Sequence, residues 1–523
     1  MKNRRRTLSI LTGGLLLGLA GCAAGTAAHP ASPSPSASAT ITAADMFARI
    51  EFLASDALRG RDTPSPGLEA AAAYIVSEYR RLGLEPAGED GTFFQRYPFG
   101  VYGLDTATVH FGTIAEGMRD NRMLVYGDDF YASPAAALSG AEMGHARLAW
   151  VGRLGAGGLP RVDWRHTAPV VRLTTTNPRD VRSSISNARN AATAAGAPAL
   201  VVVMDANLPQ AFFRQLADQS LGARRGLMDP GEIAVFHLTH AAAEGIARRA
   251  GLSLAELPDG QAPTPFAGIS AHFAATRVVE SEHRPPNVVA VVRGSDPVLR
   301  DEYVVLSAHM DHEGVGAPVN GDSIYNGADD NASGTAGLME VAEALASLPE
   351  SLRPRRSVIF LHVSGEEKGL LGARYFSDRP TVPLERIVAN INVDMISRNS
   401  PDSVIVIGKE YSTLGPLVDR VNAARPELGL VTSDDLWPEQ RFFFRSDHYH
   451  FARREVPAIF FFTGIHEDYH RPSDTVDRID ADKAARIARL IYYVATEIAN
   501  DPQRPRWDPS GLEEVRRLTT QTQ

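Results

Sequence analysis

Five short polar runs in the second half of the chain hold residue types able to bind a metal ion or move a proton. Val304-Val305-Leu306-Ser307-Ala308 runs into His309-Met310-Asp311-His312, and Val358-Ile359-Phe360-Leu361-His362-Val363 runs into Ser364-Gly365-Glu366-Glu367. Ile391-Asn392-Val393 leads to Asp394, and Phe460-Phe461-Phe462 leads through Thr463-Gly464 to Tyr469-His470. Between the first two lies Asn326-Gly327-Ala328-Asp329-Asp330-Asn331, just before Ser333. Imidazole and carboxylate without thiolate suit a catalytic zinc that keeps an open position. So many acids gathered at one place would be costly to desolvate unless metal neutralised them. Neighbours in an extended chain point opposite ways, so Glu366 and Glu367 cannot both play the same part. One can ligate while the other reaches a metal-bound water. In His309-Met310-Asp311 the first and third side chains share a face, so Asp311 can hydrogen-bond the far nitrogen of His309 and fix its tautomer.

The elements that must position these runs are strands and helices in alternation. Asn287–Val292, Tyr303–Ser307, Ser357–Val363, Val388–Val393 and Val456–Phe462 read as strands. The clearest helix is Ser333–Leu348, with Leu338, Val341, Leu345 and Leu348 on one side. The spacing of Leu68, Ala72, Ile75, Tyr79 and Leu82 predicts another over 67–84. Strands separated by helices imply an α/β fold, a mostly parallel mixed sheet with helices on both faces. In such sheets, sites gather beyond the carboxyl ends of the strands, where every polar run falls.

With the motifs in view, residues 286–500 resemble the family of zinc peptidases that contains aminopeptidase Y, bacterial leucyl aminopeptidases and glutamate carboxypeptidase II. His309-x-Asp311, Gly327-x-Asp329-Asp330-x-x-Ser333-Gly334, Glu366-Glu367, Asp394 and Tyr469-His470 occur in that family's order. Leu53-Ala54-Ser55-Asp56 to Arg59-Gly60-Arg61-Asp62 is similar to its secreted bacterial members. The resemblance implies a three-layer exopeptidase sandwich and two zinc ions bridged by Asp329. His309 and Asp394 would complete one metal site, Glu367 and His470 the other. Glu366 would be the general base, Tyr469 a phenol that stabilises the oxyanion, and the Asp329–Asp330 peptide would be cis. Activity on peptides would follow, most simply as an aminopeptidase.

Other readings stay open at this level. His466-Glu467-Asp468-Tyr469-His470 matches H-E-x-x-H, whose two histidines bind zinc from one helical turn. Pro472 leaves scant room for that helix. Glutaminyl cyclases share the fold but would lack His309, and receptor-like ectodomains share it with decayed ligands. Carboxypeptidase or dipeptidase action is compatible with Arg441 and Arg445, which could meet a carboxylate, while Phe442-Phe443-Phe444 and Phe460-Phe461-Phe462 could line an apolar pocket.

The 523 residues suggest two or three domains. Residues 1–21 read as a signal, with Lys2, Arg4, Arg5 and Arg6 before an apolar stretch and Leu19-Ala20-Gly21 before Cys22, the only cysteine. That run resembles a bacterial lipoprotein box, implying export, a lipid on Cys22, and a membrane anchor facing the periplasm or exterior. Residues 22–43, rich in Ala, Ser and Pro, read as a tether. The catalytic domain is expected over 44–122 and 274–500. Residues 123–273 form an insertion resembling a protease-associated domain, and 501–523 a polar tail. Removing the leader takes the net charge from −9 to −13, and no basic patch suggests nucleic acid.

Overall fold

A computed structural model describes residues 35–115, 121–133, 144–153, 159–160, 162–173, 185, 188–228, 233–259 and 262–522. Cys22 and the leader lie outside the described residues. A nine-stranded sheet runs in the order Glu85–Pro86, Pro286–Val292, Ser357–Val363, Tyr303–His309, Ile387–Val393, Ala458–Phe462, Ser403–Ile407, Val431–Ser433. Phe94–Arg96 pairs beside Pro286–Val292. Its four central strands are parallel, with His309 opposite Val363, Ser307 opposite Asn392, and Val393 opposite Phe461. This register brings the ends of four strands to one edge. These strands are buried throughout, the mark of a sheet covered on both faces.

Helices Ala43–Leu53, Pro66–Arg81, Gly334–Ala346, Leu414–Ala423 and Ala481–Asn500 pack on one face. Leu371–Asp378, His448–Ala452 and Pro509–Thr522 cover the other. Pro66–Arg81 starts where Ser65 caps Leu68 N–H and ends before Gly83, whose φ of +74° suits glycine.

Three boundaries differ from expectation. Packing starts before Ala44: Ala37 and Ile41 are buried in the first core, and Ser38 Oγ lies 2.7 Å from Tyr493 OH. Two apolar side chains in an Ala/Ser-rich stretch are enough to dock it. The C-terminal residues are no free tail. Trp507 Nε1 donates to Glu455 O at 2.7 Å, and Val515 is buried on the second face. The insertion also begins earlier than residue 123. An eight-stranded sheet runs Asn121–Met123, His110–Ala115, Thr264–Ala274, Gly144–Gly152, Thr167–Arg172, Ala199–Val203, Ala234–Leu238, Phe130–Ser133, with its own core. Strand His110–Ala115 is claimed by pairing with Thr264–Ala274, a long-range partner that no local pattern reveals. Phe99–Leu104, Arg277–His283 and Arg224–Leu227 form a small connecting sheet.

Candidate metal centre

His309 closes its strand fully buried, and its Nδ1 lies 3.2 Å from the backbone carbonyl of Asp311. A carbonyl can only accept, so Nδ1 carries the proton and Nε2 presents a lone pair. That nitrogen lies 3.3 Å from Asp330 Oδ1 and 3.3 Å from Asp394 Oδ1. On the other side, His470 Nε2 lies 3.2 Å from Asp330 Oδ2 and 3.2 Å from Glu367 Oε2. The two oxygens of Asp330 therefore divide between two groups of three donors: His309, Asp330 and Asp394, and Asp330, Glu367 and His470. A Glu366 oxygen lies within 4.8 Å of the His309 and Asp394 donor atoms, beside the first group.

This arrangement corrects the expected role of Asp329. Its Oδ1 accepts from Ser397 N (2.8 Å) and Ser397 Oγ (2.6 Å), and its Oδ2 lies 3.2 Å from His466 Nε2. Both backbone N–H groups, of Asp329 and Asp330, donate to the buried Asp474 carboxylate. The backbone breaks between them, Asp329 lying in a helical turn and Asp330 at φ −101°, ψ 95°, and their carboxylates reach different partners. The cis bond likewise falls one residue on, at Asp330–Asn331. Gly327 begins this loop at φ +59°, with Asp330 O only 2.1 Å from where a Cβ would stand. Only glycine fits there.

Asp311 also acts differently from the expectation. Its carboxylate is 3.8 Å from His309 Nδ1, so the His309 contact is made by its backbone carbonyl. The carboxylate instead accepts from Gly365 N at 2.7 Å, Glu366 N at 3.3 Å and Thr63 Oγ1 at 2.9 Å. It thus holds the turn that presents Glu366 and Glu367. Glu367 Oε1 is fixed by His312 Nδ1 at 2.8 Å. Asp394 Oδ2 accepts from Ser446 Oγ at 2.7 Å, which in turn takes a hydrogen bond from Asn392.

Sequence reasoning missed His312, Asp474, Ser446, Thr63 and the role of Arg61. Arg61, fully buried, donates to the carbonyls of Met310 (3.0 Å), Asn326 (2.6 Å), Gly327 (3.0 Å) and Leu53. It ties the loops bearing His309 and Asp330 to the N-terminal segment. The run Arg59-Gly60-Arg61-Asp62 was the available signal; its physical reason was not.

The electrostatics show what the cluster lacks. Burial pushes Glu366 well above the usual carboxylate range, with Glu367, Asp447 and Asp394 adding to it against His309. Burial likewise raises Asp394. Against its burial, Asp330 is held well below that range by His309 and His470. His470, despite burial, is pushed up to about 10 by Asp330 and Glu367. The carboxylates thus demand positive charge, and imidazoles that would carry it cannot then offer lone pairs. Divalent metal satisfies both sets of groups, so the donor set fits metal binding.

Tyr469 stacks on His470 with ring centroids 3.9 Å apart. Burial, then Asp330 and Glu367, raise its phenol, which stays protonated. Beside it a pocket is lined by Met395, Phe442, Arg445, Phe460, Phe462 and Ile465. Residues 467–470 form a turn, His466 faces Asp329, and the Glu467 side chain is 82% exposed. The H-E-x-x-H helix is therefore excluded.

Fold and cluster together define the class, an α/β domain with a carboxylate–imidazole cluster suited to metal at the carboxyl edge of its parallel strands. Residues 287–495 match the model of peptidase family M28, so the resemblance read from the motifs holds over the segment that carries them. Leucine aminopeptidase 2 of Arthroderma otae is 28% identical over 303 residues, covering 51% of this chain and 55% of that protein. Aminopeptidase NAALADL1 of Mus musculus is 38% identical over 112 residues, 21% of this chain and 13% of that one. This chain spans about half the length of the fungal relatives it matches. Among solved structures, an aminopeptidase from Aneurinibacillus sp. strain AM-1 aligns at 19% identity and TM-score 0.44, covering 89% of this chain and 96% of that one.

Proposed function

We propose that this chain is a zinc-dependent exopeptidase, an aminopeptidase that releases N-terminal residues from peptides. The observation that carries this reading is the division of Asp330 between His309 and His470. Two zinc ions, when bound, would polarise the scissile carbonyl and acidify the attacking water. Glu366 takes the proton of that water and delivers it to the leaving amine. Its burial favours the protonated form, which suits it to hold the proton between the two transfers. The Tyr469 phenol donates a hydrogen bond to the carbonyl oxygen as negative charge develops there. Phe442, Phe460, Phe462 and Ile465 form the apolar part of the wall beside the cluster. The named activities of the fungal and mouse relatives support the same reading.

Arg445 favours a second reading. Its guanidinium stacks on Phe442 at 4.7 Å and lines the pocket, where it suits a substrate carboxylate. Dipeptides or acidic peptides would then be preferred. One panel decides: free peptides, their N-acetylated forms, dipeptides and C-terminal amides, assayed with metal counted on the same sample. Cleavage that survives N-acetylation sinks the aminopeptidase reading. Activity that is untouched by chelators, in a sample free of metal, sinks both.

We further propose that the chain is exported and held to a bacterial membrane by lipid on Cys22. The basic run, apolar stretch and Leu-Ala-Gly-Cys sequence support this. Wild type should enter the detergent phase and Cys22→Ala should not; a wild-type protein with no lipid adduct refutes it. The inserted sheet we read as a protease-associated-like module that shapes access. Leu104 lies opposite Arg277, so a short turn can replace everything between them. That deletion should retain metal and change the preferred peptide length; loss of metal from a folded deletion would count against it.

A further inference from the structure

The inserted sheet carries three histidines on adjacent strands, remote in sequence and outside the cluster described above. His272 lies on the middle strand, opposite His145 on one side and Gly112 on the other, while His110 stands opposite Ala274. Ring centroids of His110 and His272 are 5.8 Å apart, and those of His145 and His272 are 6.5 Å apart. A Cβ at Gly112 would stand 2.5 Å from the His272 ring, so glycine there leaves the space that the ring fills.

The hydrogen bonds fix where the lone pairs are. His110 Nδ1 lies 3.0 Å from the carbonyl of Thr108, which can only accept, so Nδ1 carries the proton. Its Nε2 is then a bare lone pair, and this atom is buried without a hydrogen-bond partner among the described residues. His272 repeats the pattern with its nitrogens exchanged. Nε2 donates to Asn121 Oδ1 at 2.8 Å, and the buried Nδ1 has no partner among the described residues. Burial, with His110 and His145 close by, lowers the proton affinity of His272 and keeps it neutral. An imidazole that donates one N–H to an oxygen and leaves the opposite nitrogen bare is the form in which proteins orient metal ligands. Two such rings on one tetrahedral ion would have centroids about 5 Å apart, given metal–nitrogen bonds of about 2 Å. The His110 and His272 centroids, at 5.8 Å, stand wider than that, and the three rings do not bring donor atoms within 4.8 Å of one another, so binding requires the side chains to turn inward.

We propose that His110 and His272, with the exposed His145 as an outer ligand, bind a single transition-metal ion, separate from the carboxylate-rich centre of the first sheet. Three imidazoles select zinc, copper or nickel over calcium or magnesium.

The probe is Cu²⁺, titrated into the protein as purified and followed by electron paramagnetic resonance, with peptide hydrolysis measured in parallel. One equivalent should give a spectrum with nitrogen ligands. That signal should vanish in a His110→Gln/His272→Gln variant that hydrolyses peptides within twofold of wild type. His145→Ala, at an exposed position that puts no core at stake, should weaken the same binding at least tenfold. Copper uptake and spectrum unchanged in the double variant overturn the proposal. Should that variant fail to fold, unchanged affinity in His145→Ala overturns it alone. The readout is copper ligation, so the result stands whatever the chain hydrolyses.

Discussion

Asp329 and Asp330 are adjacent in the chain and turn their carboxylates to opposite sides of one loop, the first to Ser397 and His466, the second to His309 and His470. Substitution should separate a structural acid from a ligand. Asp330→Asn removes the negative charge shared by both donor groups, so metal content should fall by at least one equivalent and peptide hydrolysis with it. Asp329→Asn keeps an oxygen for the Ser397 N–H. It should hold its metal and lose about 1–3 kcal/mol of stability, the range for a weakened buried polar contact. Metal analysis and urea melts of the two variants check this; a metal-free Asp329→Asn beside a metal-loaded Asp330→Asn would restore the assignment that the sequence suggested.

Glu366 and Glu467 belong to incompatible mechanisms, and their environments differ as sharply: Glu366 faces the donor cluster, whereas Glu467 projects into solvent. Glu366→Gln should lower turnover roughly 10²–10⁴-fold, the scale of a positioned acid–base group, with metal content nearly unchanged. Glu467→Gln should stay within a few-fold of wild type. Steady-state rates on a free peptide distinguish the two.

Much of this was legible because the sheet strands are continuous apolar runs that end in polar residues. His309, Glu366, Glu367, Asp394 and His470 stand where that pattern placed them. Which of Asp329 and Asp330 faces the cluster was not legible, because the direction is set by Asp474 and Ser397, 145 and 68 residues away. The same limit hid the start of the insertion, since strand His110–Ala115 is defined by a partner more than 150 residues on. It hid Arg61 too, whose five donors read as surface charge until the carbonyls around them are known.

Arg61 gives the third prediction. Lysine keeps its charge but not the planar fork that reaches four carbonyls on three segments. Arg61→Lys should therefore leave buried carbonyls unpaired and loosen the loops of His309 and Asp330. Metal affinity should drop about 10–100-fold, as for other groups that support a ligand. Competition with a chelator of known affinity measures it. Unchanged affinity would reduce Arg61 to a packing residue.

Acid should destabilise the protein through histidines far from the metal centre. His237 is buried in the inserted sheet and stacked on Tyr131 at 4.3 Å; burial, with Arg224 nearby, lowers it to about 3. Burial alone takes His362, beside Tyr79, to about 3 as well. The unfolded chain protonates such a residue near pH 6.5, whereas the folded chain does not until about pH 3. Between these values the unfolded state binds more protons, so stability rises with pH, is complete above about 6.5, and is lost progressively below it. At pH 5 each group would cost about 2 kcal/mol. Acid also releases metal from carboxylates and imidazoles, so a comparison with His237→Phe is needed to isolate the effect. Phenylalanine preserves the stack on Tyr131 and cannot titrate. Relative to wild type, the variant should gain about 2 kcal/mol on going from pH 7 to pH 5, read from urea midpoints of the inserted sheet. A stability difference equal at both pH values would mean that His237 takes up its proton without unfolding.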